Sequence, residues 1–301
     1  MSEKNDRFLG ALLGVAVGDA LGAPLEFLSA EEIKKRHGGE VRDMIGGGWL
    51  NVVPGEITDD TEMTLAVAEG IVESHFNPIP AIGRRFIAWY DSGPKDMGDC
   101  CRAAIAAAKE RGAENYRDWY RAAQRVHKEK GGRTAGNGAL MRTIFPALWY
   151  GAEAPAIAGQ IAHMTHIHRH SHLAVTVYTI AVEDIIARRE AAPERLRERI
   201  RHYMEPVRRL TGGNDPEPDG YAPNSLMCAV NAVTDTSCFE DALIRAVNLG
   251  GDADTIGAIA GGLAGALYGA EAVPQRWTDA LDPDITRQIE QLAKKAENYA
   301  C

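Results

Sequence analysis

Apolar residues recur along this chain at intervals of three and four, and rarely in strict alternation. Phe8-Leu9, Leu12-Leu13, Ala16-Val17 and Ala20-Leu21 form one amphipathic stripe. Leu65, Ala68, Ile71 and Val72 form a second, and the run from Phe86 to Tyr90 a third. A period near 3.6 puts such residues on one face of a helix, whereas a half-buried strand would alternate. Turn-bounded runs of Val, Ile and Thr hardly occur, so the pattern predicts an all-α fold. Gly46-Gly47-Gly48 and Pro54-Gly55 interrupt the chain before the second stripe, and Thr211-Gly212-Gly213-Asn214-Asp215-Pro216 interrupts its C-terminal half. No Ser/Gly-rich spacer and no repeat of fixed period divides the chain, so one domain of packed helices over residues 1–301 is expected.

Glycine falls at positions 257, 261, 265 and 269, a ridge of small residues on which another helix can approach closely. In lipid such a ridge would mark dimerising helices. The longest apolar stretch, Ile256 to Tyr268, has only thirteen residues and follows Asp252 and Asp254. That is too short to span a bilayer, and a buried central helix is expected instead. The start, Met1-Ser2-Glu3-Lys4-Asn5-Asp6, lacks the basic region and apolar run of a secretory signal. Five cysteines, Cys100, Cys101, Cys228, Cys238 and Cys301, make no C-x-x-C pair and are odd in number, as in a reduced, cytoplasmic chain. Thirty-three Lys and Arg stand against 42 Asp and Glu, a formal charge of −9. A protein that tracks nucleic-acid phosphates is therefore not expected.

Charge becomes informative where it clusters. Thr58-Asp59-Asp60-Thr61 follows a Pro-Gly turn, and Asp252-Ala253-Asp254-Thr255 follows Gly250-Gly251; each opens an apolar helix. Taken singly, either cluster reads as helix capping, since the first turn offers free N–H groups and the positive end of the dipole. Together they supply four Asp and two Thr, with Glu26 in a third turn after Gly22-Ala23-Pro24. Five converging carboxylates would repel one another unless two divalent cations nearly neutralised them. All-oxygen donors favour Mg²⁺ or Mn²⁺ over Zn²⁺.

The rival metal site is the run His163-Met164-Thr165-His166-Ile167-His168-Arg169-His170-Ser171-His172, which holds five of nine histidines. Helical spacings of four, His166 with His170 or His168 with His172, suit zinc. No H-E-x-x-H accompanies them, and Arg169 sits in their midst, so one histidine reaching a substrate with the others solvated is the better expectation. No G-x-S-x-G elbow, P-loop or strand-borne G-x-G-x-x-G is present. Gly136-Asn137-Gly138-Ala139 reads as a turn, or as backbone N–H groups that receive phosphate or ribose oxygens.

Four motifs occur in the order seen in ADP-ribosylglycohydrolases, which the chain resembles over nearly its whole length. They are Gly18-Asp19-Ala20-Leu21-Gly22-Ala23-Pro24-Leu25-Glu26, Thr58-Asp59-Asp60-Thr61-Glu62-Met63-Thr64, Gly136-Asn137-Gly138-Ala139-Leu140-Met141-Arg142 and Gly250-Gly251-Asp252-Ala253-Asp254-Thr255. Gly46-Gly47-Gly48-Trp49, Pro94-Lys95-Asp96-Met97-Gly98-Asp99 and Pro274-Gln275-Arg276-Trp277 make it similar to members that act on dinitrogenase reductase. The likeness weakens between about Pro193 and Pro223. It implies an all-α domain with a centre of two Mn²⁺ or Mg²⁺ that removes ADP-ribose from a modified arginine of a target protein. By position, it implies Glu26, Thr58, Asp59, Asp60, Asp252, Asp254 and Thr255 as metal residues. Asp96, Glu26 and Asp59 are the candidate catalytic carboxylates, with Asp96 or Glu26 steering the attacking water or a ribose hydroxyl. Asp96 and Gly98 would face the ribose, Gly136, Asn137, Gly138 and Met141 the diphosphate, and His166 the ADP-ribose. His168, His170 and His172 receive no role from it. A nitrogen-signalling regulatory protein is an implied partner, and a monomer is compatible with the composition. Two other readings share the same cleft: hydrolysis of a serine-linked or free ADP-ribose conjugate, and a catalytically silent ADP-ribose binder.

Overall fold

A computed structural model describes residues 3–188, 193–211 and 215–299. The middle of the second expected chain break, Gly212, Gly213 and Asn214, lies outside the described residues, as do Met1, Ser2 and Cys301. The helices in chain order are α1 (Glu3–Gly22), α2 (Ala30–His37), α3 (Asp59–Glu73), α4 (Ile79–Ser92), α5 (Asp99–Glu110) and α6 (Tyr116–Glu129). After them come α7 (Ile144–Tyr150), α8 (Ala154–Ala162), α9 (Arg169–Ala187), α10 (Pro193–Tyr203), α11 (Glu205–Arg208), α12 (Ala222–Thr234), α13 (Phe239–Val247), α14 (Ala253–Tyr268), α15 (Gln275–Thr278) and α16 (Pro283–Tyr299). Among the described residues β pairing is limited to isolated bridges, Ser29 with Gly250, Gly47 with Val52 and Gly136 with Tyr221. The expectation of an all-α fold therefore holds. Short polar residues start several helices in the expected way: Ser29 and Glu32 form a reciprocal capping box on α2, and the Asn115 side chain accepts from Arg117 and Asp118 on α6.

The centre of the fold is the antiparallel pair α1 and α14. Glycines of the two helices face each other, Gly14 against Gly261 and Gly18 against Gly257, with Gly10 and Gly265 at one end and Gly22 against Ala253 at the other. A Cβ built on Gly14 would lie 2.0 Å from the Gly261 carbonyl oxygen, and one on Gly261 would lie 1.9 Å from that of Gly14. No side chain fits there. The ridge at 257, 261, 265 and 269 thus has a partner in α1, at positions 10, 14, 18 and 22. The other faces of both helices are covered too. Phe8, Leu12, Val15, Val17 and Leu21 of α1 are buried on several sides, so α1 is not the one-faced amphipathic helix its stripe suggested.

By length and composition the segment Lys4–Leu25 is apolar enough to cross a membrane, but 94% of that window is buried inside the protein. The polar Asp19 interrupts the run and conceals its length in a count of consecutive apolar residues. Around the central pair, α13 and α12 pack on α14, α16 lies along α1, and α3 with α4 and α7 close another side. Cys100, Cys101, Cys228 and Cys238 are free thiols.

Because backbone meets backbone at Gly14 and Gly261, an added methyl has to push the two helices apart. Gly261→Ala is expected to lose about 3 kcal/mol, which is roughly a 5 °C fall in melting temperature for a chain of this length by thermal unfolding. An unchanged melting temperature would show that the helices do not cross on these glycines.

Candidate functional site

The α1–α14 crossing brings the two ends of the chain to one place. The chain leaving α1 makes a short 3-10 turn, Ala23–Leu25, and presents Glu26; α14 begins beside it with Asp252, Ala253 and Asp254. Two main-chain hydrogen bonds lock these turns together, from Phe27 N–H to Gly251 O and from Gly251 N–H to Leu28 O, both 2.7 Å. Gly250 and Gly251 have φ of +73° and +64°, and a Cβ on Gly251 would lie 1.7 Å from Pro218 O. Only glycine can make this turn, for conformational and steric reasons alike.

The third segment arrives through α3. Thr58, its N-cap residue, makes no side-chain cap. Asp19, fully buried on α1, takes that part from another helix. Its carboxylate accepts from the Thr58 N–H at 3.0 Å, the Thr58 hydroxyl at 2.7 Å, the Thr61 N–H at 3.1 Å and the Thr61 hydroxyl. Asp59 and Asp60 are thereby released from capping. Asp252 likewise makes no side-chain cap on α14. Capping, the alternative explanation for each acidic cluster, therefore accounts for neither.

Glu26, Asp96 and Asp254 each place a carboxylate oxygen within 4.8 Å of the other two. They stand in a cleft of about 390 Å³ that is also lined by Asp59, Gly98, Gly136, Asn137, Gly138, Met141, His166, Asp252 and Thr255. Thr58 and Asp60 lie behind this lining, 5% and 1% exposed. Each acid is held by a donor at one oxygen. Trp49 Nε1 donates to Glu26 Oε2, Gly98 N–H to Asp59 Oδ2 at 3.4 Å, and Thr255 Oγ1 to Asp60 Oδ2 at 3.3 Å. Met97 N–H donates to Asp96 Oδ1 at 2.7 Å, Asn137 Nδ2 to Asp252 Oδ2 at 2.8 Å, and Thr255 N–H to Asp254 Oδ1 at 2.8 Å.

Burial, followed by repulsion from the neighbouring carboxylates, holds Asp59, Asp60 and Asp254 well above the ordinary carboxylate range. Burial pushes Glu26 up to about 8 and Asp19 to about 6, although hydrogen bonds oppose both shifts. Asp96 is raised as well, chiefly by burial. Asp60 Oδ1 is buried with no hydrogen-bond partner. An orphaned, buried hard oxygen among converging carboxylates is what a divalent cation satisfies, so these residues fit one.

The opposite wall is organised by Arg142, which the sequence pattern left without a role. It is fully buried. One guanidinium nitrogen donates to Gly138 O at 2.9 Å and to Cys101 Sγ at 3.3 Å, the other to Thr165 Oγ1 at 2.6 Å, and the group lies over the Phe86 ring at 4.8 Å. Thr165 Oγ1 in turn meets His166 Nδ1 at 2.7 Å. Burial and the Arg142 charge push His166 down to about 3, so its ring is neutral. That ring packs against the two glycines: Cβ atoms on Gly136 and Gly138 would come within 3.2 and 3.3 Å of it. Asn137 spends its N–H on Gly220 O, at 3.0 Å, and its amide on Asp252 and Ser225. The turn therefore secures His166 and Asp252, and the Asn137 N–H is not available to a phosphate.

The remaining histidines are not solvated on one helix face. Helix α9 begins only at Arg169, so His166 and His168 precede it. His168 caps α9 through Nδ1, His170 Nδ1 meets Tyr221 Oη at 2.7 Å, and His163 stacks on His172 at 4.8 Å. A larger cavity, about 960 Å³, lies between α3, α4 and the start of α16, away from the acidic centre. Size alone does not locate the chemistry here; the converging acids do. Asp19 and Arg142 had one visible signal each, a single charge inside an otherwise apolar run.

The ADP-ribosylglycohydrolase family profile matches residues 1–300. ADP-ribosyl-[dinitrogen reductase] glycohydrolase of Rhodospirillum rubrum is 36% identical, the match covering 95% of this chain and 93% of that protein. ADP-ribosylarginine hydrolase Tri1 of Serratia proteamaculans (strain 568) is 31% identical over 97% of this chain and 80% of that one. A solved structure described as an ADP-ribosylglycohydrolase-related protein complex superposes with a TM-score of 0.83 at 35% identity, covering 100% of both chains.

Raised carboxylate pKa values translate into a pH dependence of stability. A carboxyl whose folded pKa lies above its unfolded value stabilises the fold fully below the unfolded pKa, and that contribution is lost as pH rises through the folded one. For Glu26 the window runs from 4.5 to about 8, and for Asp19 from 3.8 to about 6. Chelator-treated protein should therefore melt progressively lower between pH 5 and pH 8, and millimolar Mn²⁺ at pH 8 should restore the loss. A melting temperature flat over that range would contradict the burial-raised carboxylates described here.

Proposed function

The chain belongs to the ADP-ribosylglycohydrolase family, and from that premise we propose that it hydrolyses the bond between ADP-ribose and an arginine side chain of a target protein. We read residues 1–301 as one domain performing this reaction, with ADP-ribosylated dinitrogenase reductase as the target. The observation that carries the reading is the meeting of Glu26, Asp96 and Asp254 in a cleft whose far wall is Gly136–Gly138, Met141 and His166. Two relatives named for arginine or dinitrogen reductase substrates support the linkage.

Glu26, Asp59, Asp60, Asp252 and Asp254, with Thr58 and Thr255, would hold two Mn²⁺ or Mg²⁺. Bound there, the ions would supply positive charge that orients ribose hydroxyls and makes a nearby water more acidic. The chain's own groups perform the remaining work. Trp49 and Asn137 fix the orientation of Glu26 and Asp252 by donating to one oxygen of each. Asp96, with one oxygen held by the Met97 N–H, takes the proton of the attacking water as its oxygen bonds to the anomeric carbon. The carbon–nitrogen bond to the guanidine breaks, and the freed guanidine receives that proton and leaves as guanidinium. Neutral His166 and the Gly136–Gly138 turn bound the ADP-ribose on the other side, while Arg142 keeps both in register from beneath.

The test is release of ADP-ribose from an arginine-modified protein with added Mn²⁺. Chelation, Asp59→Ala and Asp254→Ala are each expected to reduce the rate by about 100-fold or more. Release that persists in chelator would remove the metal from the reaction, and binding of ADP-ribose without any release would favour a silent binder. Running modified dinitrogenase reductase beside an unrelated modified protein and a serine-linked conjugate tests target and linkage.

A further inference from the structure

At the mouth of the cleft two large aromatic side chains stand in solvent, Phe27 at 67% exposure and Trp49 at 53%. Their ring centroids are 5.4 Å apart and their planes open at 46° to each other. Phe27 has φ of +63°, a left-handed backbone for a bulky residue, which is costly and persists only where the surroundings dictate it. The surroundings do so here. The paired hydrogen bonds between Phe27, Leu28 and Gly251 leave the turn no other conformation, and the result directs the ring outward instead of into the core. Trp49 is delivered by the Gly46-Gly47-Gly48 loop, closed by reciprocal hydrogen bonds between Gly47 and Val52 at 2.8 and 2.9 Å. Its indole N–H is tied to Glu26.

The pair stands between two hollows, and Glu26 lines both. On one side is the acidic cleft, with Glu26, Asp59 and Asp96. On the other is a hollow of about 380 Å³ lined by the same two rings together with Arg36 and His37. A flat cation approaching from the cleft side meets aromatic faces, which attract it, and carboxylates, which complement it. We propose that Phe27 and Trp49 form the subsite for the leaving arginine, receiving its guanidinium on their faces and thereby selecting arginine-linked over neutral-linked ADP-ribose. This rests on the arginine reading above and adds the residues that read the linkage.

Phe27→Gly removes the ring and relieves the left-handed strain together, so it is expected to melt no lower than the parent protein while selecting less well. In kinetics, the ratio of kcat/KM for arginine-linked to serine-linked conjugate should fall about 3- to 20-fold in Phe27→Gly and in Trp49→Ala. An unchanged ratio overturns the proposal. A second readout is independent of turnover. In ADP-ribose-saturated protein, N-butylguanidine should shift the Trp49 indole N–H resonance, its neutral isostere N-butylurea should not, and Phe27→Gly should weaken the guanidine response. Equal responses to guanidine and urea, or full guanidine binding in Phe27→Gly, would overturn it. Guanidine-selective binding without hydrolysis of either conjugate would uphold the subsite and refute the hydrolase reading.

Discussion

The structure depends on the contact of two helix backbones. Helices α1 and α14 touch through glycine, so nothing separates their main chains at Gly14 and Gly261, and their antiparallel course is fixed along its length. That crossing decides where the ends go. Glu26, just past one helix, meets Asp252 and Asp254, at the start of the other. A site assembled from opposite ends of a chain needs such a rigid member, because carboxylates brought together repel, and loops alone would relax away from one another. Here the apolar burial of α1 and α14 opposes that repulsion. The N-termini of α3 and α14 both face the acids and offset part of it with their positive ends.

Hydrogen bonding separates the acids that hold the site together from the acids that do its chemistry. Both oxygens of Asp19 are occupied by donors from Thr58 and Thr61, so it has nothing left to offer a ligand. Each of the others is fixed at one oxygen by a different donor: an indole, an amide, a hydroxyl or a main-chain N–H. A carboxylate held at one oxygen is oriented without being neutralised, and its second oxygen is presented in a set direction. At Asp60 that second oxygen is buried without a partner, which exposes the logic most plainly, since an unsatisfied buried acceptor is not tolerated without compensation. Burial thus serves two ends: it raises the energy of the bare cluster and it strengthens the attraction for a cation.

Much of this is legible in the sequence. Helical periodicity carried the fold class, and the clustering of Asp with Thr after glycine turns carried the acidic centre, because both are local patterns. What a local pattern lacks is its partner. The ridge at 257 to 269 is visible in the sequence, whereas its complement at Gly10, Gly14, Gly18 and Gly22 is masked by the apolar stripe of α1, which reads as a one-faced helix. The capping alternative for Thr58 is decided by Asp19, which occupies the cap from a different helix and so from a distant part of the sequence. Asn137 suggested a phosphate turn because glycine on both sides implies a free backbone. In the fold, those glycines leave room for His166, and the amide holds Asp252. The histidine run suggested a face because its spacing is helical, but the helix starts too late to include its first three members.

Phe27 shows how such frustrations come to coincide. Its left-handed backbone is unfavourable, its ring is left in water, and its neighbour Glu26 is a carboxylate held near pKa 8. Any one of these could be relieved by a small movement of the 26–28 turn. None is relieved, because the turn is bound to Gly251 in both directions, and Gly251 is itself pressed against Pro218. Loosening the turn would break two main-chain hydrogen bonds at once and separate the two halves of the acidic centre. Strain, exposure and charge are therefore retained together by one pair of backbone contacts, and they concentrate where the chain has to present reactive oxygens and a recognition surface to the same substrate.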